Sequence, residues 1–263
     1  EHGYHGLHLM KSQRRHHVFH AVNQQDEKRF LKATNDPKEQ IFLENEIRAN
    51  DLLRPLTEGL SLRIPSGTYQ AVDGGSWIDQ EFIEGQPFAQ EDRLLQPFSD
   101  QELEVLFQFL RRKHELREQD IPEFFLQRGR TEFAPAAMVE KLEHLYLAPA
   151  TGPVLTPFEA QRIKELCISS RSAREFCHHD FVAWNMLHNE AGELVLTDAE
   201  HARWGMKWYD LAYHYLQTRI LLDEPEEAKR QLAFFVRRFR EELPNEPIEK
   251  ELLHPMAYWT GAC

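Results

Sequence analysis

The stretch CHHDFVAWNMLHNEAGELVLTDAEHARW, from Cys177 to Trp204, most constrains what this chain can become. It sets His178, Asp180, Asn185, Asp198 and Glu200 around two short apolar runs, NML and ELVLT. The runs read as the strands of a hairpin, and HNEAG between them reads as its turn. Asp180 and Asn185 then stand on the loop that enters the hairpin, and Asp198 just past its second strand. A hairpin brings the ends of its strands together, so Asn185 and Asp198 can face one another despite the sequence gap. Carboxylates beside buried strands need partners, because burying an unpaired charge is costly. A solvated loop, a metal ion or a substrate would each meet that need.

The chain around this stretch changes character near Phe88. Before it, GLHLMKSQRRHHVFHAV offers two apolar runs about a basic turn, and KRFLKATND a third strand that carries Lys32. DPKEQIFLENEIRANDLL reads as a helix, with Asp36 as cap, Pro37 in the first turn and an apolar side of Ile41, Ile47, Leu52 and Leu53. TYQAV and SWIDQEFI return to strand around DGG, and EGQPF breaks the pattern. After Phe88 the pattern is helical. SDQELEVLFQFLRRKHEL opens with a capping box, Ser99 and Glu102, and continues with Leu103, Leu106 and Leu110 at helical spacing. TPFEAQRIKELC opens the same way through Thr156, Pro157 and Glu159, and EPEEAKRQLAFFVRRFREEL is a late amphipathic helix through Leu232, Phe235, Val236 and Phe239. The expectation is an α+β fold of two lobes. A small antiparallel-sheet lobe covers residues 1–87 with a hinge at about 81–87, and a mainly helical lobe over 88–263 carries the hairpin. A cleft between such lobes is a natural ligand site.

Bulk properties narrow the function. A length of 263 residues suits two lobes, and 41% hydrophobic residues suffice for a core. The formal charge of -12 argues against nucleic acid or an anionic membrane as the main partner and is compatible with a cationic small substrate. Cys167, Cys177 and Cys263 are odd in number and lack C-x-x-C spacing, so a reducing, cytoplasmic setting is expected rather than disulfides or zinc. No signal peptide is expected at Glu1, and no apolar run approaches the roughly 18 residues of a membrane span. The early histidines (His2, His5, His8, His16, His17, His20) would alternate across a strand, with no Cys or acid to complete a metal set, and read as ordinary polar residues.

An Asp, an Asn five residues on and an Asp after a hairpin are the groups phosphoryl transfer requires. The Asn amide oxygen and the second carboxylate are hard ligands suited to Mg²⁺. The first Asp can take the proton of an acceptor hydroxyl and orient it for in-line attack.

On these residues, HHDFVAWNML…VLTDAEHA…YDLA resembles the catalytic segment of the aminoglycoside phosphotransferase and choline kinase superfamily. Its usual pattern is H-G-D-x-x-x-x-N followed by I-D-x-E or I-D-x-D. His179 stands where that family usually has Gly, and Thr197 where Ile is common. The resemblance, which spans Gly6 to Leu216, implies a protein-kinase-like fold. It makes Lys32 the third-strand lysine that meets nucleotide phosphates, and Glu46 its helix partner, with Glu44 a competitor for that place. DQEFIEGQPF resembles the linker whose backbone near Glu81 and Ile83 bonds adenine, and Asp210 a buried helix acid that accepts from the catalytic loop. The turn KSQRRHH has no Gly; Ser12 and backbone amides would touch phosphate there, with Arg14 or Arg15 adding charge.

The implied activity is ATP- and Mg²⁺-dependent transfer to a hydroxyl of a small molecule of aminoglycoside, amino-alcohol or sugar type. Asp180, Asn185, Asp198 and Lys32 would be catalytic; Lys32, Glu46, Glu81, Ile83 and Ser12 would bind the nucleotide; Asn185 and Asp198 would hold the metal. A nucleotide-binding pseudokinase module is the alternative, although such proteins normally lose a reacting group and none is lost here. An HD-type metal phosphohydrolase, suggested by HHD, would be all-helical, which the hairpin and the strand-rich first part oppose. A protein kinase would need an activation segment, and the interval from Asp198 to Asp210 is too short for one.

Overall fold

The computed structural model describes residues 3–12, 16–90, 92–132, 156, 158, 161, 165 and 173–260. The chain divides into two compact units. One is Glu1–Pro87 with Asn185–Ala202; the other is Phe88–Trp184 with Arg203–Cys263.

The first unit is built on five strands: β1 (Tyr4–Ser12), β2 (His17–Asn23), β3 (Lys28–Thr34), β5 (Gly67–Val72) and β6 (Gly75–Glu81). They form an antiparallel sheet in the order β1-β2-β3-β6-β5, so β3 lies at its centre. Helix α1 (Pro37–Leu53) starts where the sequence asks: Asp36 accepts the Lys38 N–H at 2.9 Å, and Pro37 needs no donor in the first turn. Its buried side is Leu43, Asn45, Glu46, Ile47, Ala49, Asn50 and Leu53, whereas Ile41, expected on the apolar side, is exposed. Leu43 and Ile47 pack with Ile78 of β6 and Tyr69 of β5.

A second sheet completes this unit. Its order is β4 (Leu62–Arg63), β12 (Leu194–Leu196), β11 (Met186–Asn189), β7 (Gly85–Pro87). The hairpin β11–β12 is the one the sequence announces, with Gly192 at φ +76° in its turn. Strand β7 falls within EGQPF, where the sequence suggests only a break. It pairs with β11 so closely that a Cβ on Gly85 would run into the His188 carbonyl oxygen. β12 pairs in parallel with β4. Asn45 of α1 then donates to the carbonyls of Ala199 (3.2 Å), Glu200 (2.9 Å) and Ala202 (3.0 Å). These ties are why residues 185–202 group with the first unit and not with residues 88–184.

The second unit opens with the small hairpin β8 (Ala89–Gln90) and β9 (Arg93–Leu94). Among the described residues its α-helices with given bounds are α2 (Asp100–His114), α3 (Glu123–Glu132), α4 (Tyr209–Ile220), α5 (Pro225–Glu242) and α6 (Ile248–Thr260). The capping box at Ser99 and Glu102 is formed in both directions. β10 (Arg174–Cys177) pairs antiparallel with β13 (Arg203–Met206). The core is rich in phenylalanine: Phe107 meets Phe239 and Phe125 meets Phe176 edge-to-face, with centroids 4.8 and 5.0 Å apart. Gly129 of α3 packs so tightly that a Cβ would strike the Trp204 carbonyl oxygen of β13. The helix expected over Thr156–Cys167 lies almost wholly outside the described residues. Among the described residues, no helix is long and apolar enough to cross a membrane.

Candidate active site

Lys32 sits on the central strand, opposite Val18 of β2 and Ile78 of β6, and only 9% of its side chain is exposed. An ammonium this buried needs anions, and three converge on it. Its Nζ is 2.8 Å from Glu46 Oε2, 2.5 Å from Asp198 Oδ1 and 3.6 Å from Glu200 Oε2. Burial alone would lower its pKa; Asp198, Glu46 and Glu200 together raise it, so Lys32 stays cationic. Glu46 is fixed from its other side, where Gln80 Nε2 donates to Oε1 at 3.1 Å. Glu44, the competing acid on α1, is instead paired at the surface with Arg48. The Glu200 carboxyl would be raised by burial. Its hydrogen bond to His16 (3.0 Å), then the charge of Lys32 and the neighbouring His201, hold it at about 2.

The hairpin ties Asn185 to Thr197, the residue before Asp198. The Thr197 N–H donates to the Asn185 carbonyl at 3.0 Å, and the Thr197 hydroxyl donates to the same oxygen at 3.2 Å, a bond no Ile could make. Asp198 adopts φ +66°, which Asp tolerates better than most residues. A third of its side chain (34%) remains exposed. It faces a cavity of about 270 Å³ shared with Phe30, Lys32, Glu46, Gln80, Glu81, Phe82, Ile83 and Asn185. Six residues singled out in the sequence, Lys32, Glu46, Glu81, Ile83, Asn185 and Asp198, therefore line one cavity of the first unit. The donor set fits a hard divalent cation. Asn185 and Asp198 line the same cavity, and carboxylate oxygens of Glu46, Asp198 and Glu200 lie within 4.8 Å of one another. Ser12 is the last residue of β1, opposite His17; its side chain, like Arg14 and Arg15, lies outside the described residues.

Asp180 belongs to the second unit, on the loop after β10, and is half-buried. The loop is held by Asp210, whose Oδ2 accepts the His178 N–H and whose Oδ1 accepts the His179 N–H, both at 2.9 Å. His178 Nδ1 in turn accepts the Asp180 N–H at 3.3 Å, so His178 anchors the loop. His179 has φ +68°, the left-handed conformation that explains a glycine preference at this place. Its side chain is accommodated by burial against Tyr209, with ring centroids 4.0 Å apart.

The model of the phosphotransferase enzyme family matches residues 11–243. This chain belongs to that family. Solved structures agree in fold. Macrolide 2'-phosphotransferase MphH from Brachybacterium faecium aligns with a TM-score of 0.65 at 13% identity, covering 98% of this chain and 85% of that one. An aminoglycoside-3'-phosphotransferase of type VIII gives 0.62 at 17%, covering 98% and 94%. A streptomycin–ATP–APH(2")-IIa ternary complex gives 0.62 at 15%, covering 98% and 84%. No curated protein sequence matches. The fold expected from the sequence, α+β, two-lobed and protein-kinase-like, is the observed one.

In this phosphotransferase the Asp180 loop rests on charges that the sequence reading passed over. Lys113 of α2 is only 1% exposed, and its Nζ donates to the Phe176 carbonyl at 2.7 Å. It also lies 3.2 Å from Asp210 Oδ2 and 3.3 Å from Glu175 Oε1. Glu175 accepts the Trp208 N–H at 2.9 Å and pairs with His114 Nδ1 at 2.8 Å. Burial would raise the Glu175 carboxyl, but Lys113 and then His114 outweigh it and hold it at about 2. A signal was present: Lys113 continues the series Leu103, Leu106, Leu110 at helical spacing, which puts a lysine on the apolar side of its helix.

Proposed function

We propose that this phosphotransferase moves the terminal phosphoryl group of ATP, with Mg²⁺, to a hydroxyl of a small molecule. One observation carries the reading: a buried lysine held between Glu46 and Asp198 at the wall of a cavity that also presents Asn185. A fixed ammonium with oxygen donors beside it suits a polyphosphate and its cation. Residues 1–87 act as the nucleotide-binding lobe and 88–263 as the catalytic and substrate lobe. The backbone near Glu81 and Ile83 bonds the base, with Phe30 and Phe82 as apolar walls, and Ser12 is assigned to the phosphates on the family resemblance. Lys32 orients the phosphates and Glu46 orients Lys32.

Asn185 and Asp198 would hold Mg²⁺, which supplies neutralisation of phosphate charge when bound. Asp180 accepts the proton as the acceptor oxygen forms its bond to phosphorus and the bond to the bridging oxygen breaks, leaving ADP. The acceptor is an alcohol, and the acidic chain favours one that carries amines. That choice agrees with the streptomycin in one similar structure, while the macrolide enzyme keeps other alcohols within the class.

The test is transfer from labelled ATP with Mg²⁺ across aminoglycosides, macrolides, choline, ethanolamine, sugars and hydroxy amino acids, with Asp180→Asn beside the wild type. A labelled product expected from one acceptor class should drop about 10²–10⁴-fold in the variant while nucleotide binding persists. Normal turnover by Asp180→Asn would remove Asp180 as the base. Absence of both product and nucleotide binding in the wild type would remove the reading altogether.

A further inference from the structure

Among the described residues of the second unit, three non-glycine residues hold left-handed backbone conformations, and two of them, His179 at φ +68° and Trp208 at φ +67°, have their backbone N–H on a buried carboxylate. Such residues persist only where the surroundings over-determine them. Each of the two is pinned by a carboxylate that accepts its backbone N–H: Asp210 for His179 and Glu175 for Trp208, both at 2.9 Å. Both carboxylates lie against the same ammonium, that of Lys113, whose remaining bond goes to the Phe176 carbonyl on the strand that delivers the Asp180 loop. We infer that Lys113 is a positioning residue for the proton-accepting Asp180, acting through Asp210, Glu175 and the Phe176 carbonyl to fix the loop 178–180. The inference rests on the proposed phosphoryl transfer for the meaning of Asp180, but its geometry stands apart from it.

The arrangement exceeds what packing alone would call for. An apolar side chain could fill the Lys113 site more cheaply, since a buried ion pair is often replaceable by hydrophobic residues with no loss of stability. A lysine here instead spends its three donors on three separate backbone-holding groups. One is the carbonyl of β10, one the acid that carries the His178 and His179 amides, and one the acid that carries the Trp208 amide at the start of α4. His114, one residue further along α2, closes the set by pairing with the second oxygen of Glu175.

The experiment compares Lys113→Met and Lys113→Arg with the wild type in the full chain, by hydrogen exchange of backbone amides and by steady-state kinetics with the acceptor found above. In Lys113→Met, protection at the His178, His179 and Trp208 amides should fall at least tenfold, with Ile78 in the first unit unchanged. The kcat should fall about 10²-fold with the nucleotide KM within threefold, since a misplaced base costs rate and not nucleotide contact. Lys113→Arg, which keeps the cation, should recover most of both. Lys113→Met with wild-type protection and kcat would overturn the inference. If Lys113→Met does not fold, Lys113→Arg decides: a folded variant with protected loop amides supports it, and a folded variant whose loop amides exchange freely overturns it. A wild-type chain with no transfer activity but with loop amides that depend on Lys113 would sink the proposed function and leave the loop-fixing role standing.

Discussion

Among the described residues, two buried lysines are ringed by carboxylates, and they differ in an instructive way. Around Lys113 every group is enclosed: side-chain exposure is 1% for Lys113, 1% for Asp210 and 6% for Glu175. The carboxylate oxygens are occupied by backbone amides or His114. Around Lys32 one cation faces three carboxylates, and one of them, Asp198, is open to a cavity. The closed set matches charge with donors and holds backbone. The open set places one cation among three carboxylates beside a cavity, so its charges are less evenly matched than those of the closed set.

The sharpest break in this comparison comes from Asp210→Asn. It should destabilise the second unit by about 3–5 kcal/mol, because it uncouples a buried pair and sets an amide N–H against the loop amides. Chemical denaturation reads the effect, and an unchanged midpoint would show that the closed set is not what holds the loop. Asp198→Asn should do the reverse. Removing one of three crowded carboxylates leaves Lys32 with Glu46 and Glu200, so the melting temperature should hold or rise. Transfer should nevertheless fall about 10²–10³-fold with weaker Mg²⁺-dependent nucleotide binding.

Acid sharpens the contrast further. The Glu175 carboxyl is held at about 2 against an ordinary 4.5, so its contribution to stability is complete above about pH 4.5 and is lost as pH falls toward 2. That loss is on the order of 3 kcal/mol. Glu175→Gln should flatten the stability profile over that interval, as read from urea midpoints at successive pH values. The smallest effect is expected from His179→Gly. The backbone strain released should be slightly outweighed by the lost packing on Tyr209, a net cost of about 1 kcal/mol by the same assay.

Much of this was legible in the sequence because the signals were local. The Asp36 cap, the Ser99–Glu102 box and the β11–β12 hairpin are written in neighbouring residues and appear where expected. Lys32, Glu46, Asn185 and Asp198 are distant in sequence, and only their order suggested that one cavity could gather them. Long-range pairing was less readable. β4 is two residues long and pairs in parallel with β12, and β7 hides in EGQPF; neither has the length to show alternation. Glu44 and Glu46 looked alike until α1 turned one outward to Arg48 and the other inward to Lys32. The His179 conformation, odd as a residue choice, is explained by an acceptor thirty-one positions away.

The grouping of residues 185–202 with the first unit has a consequence for how such a chain can diversify. Among the described residues, those that line the cavity come from 30–83 and 185–198, all within the first unit. Substitutions in the described segments 92–132 and 203–260 of the second unit therefore leave those lining residues unchanged. On the proposed function, a mutational library confined to 92–132 and 203–260, with Lys113 and Asp210 kept, is expected to change the acceptor while the residues that line the cavity stay as they are.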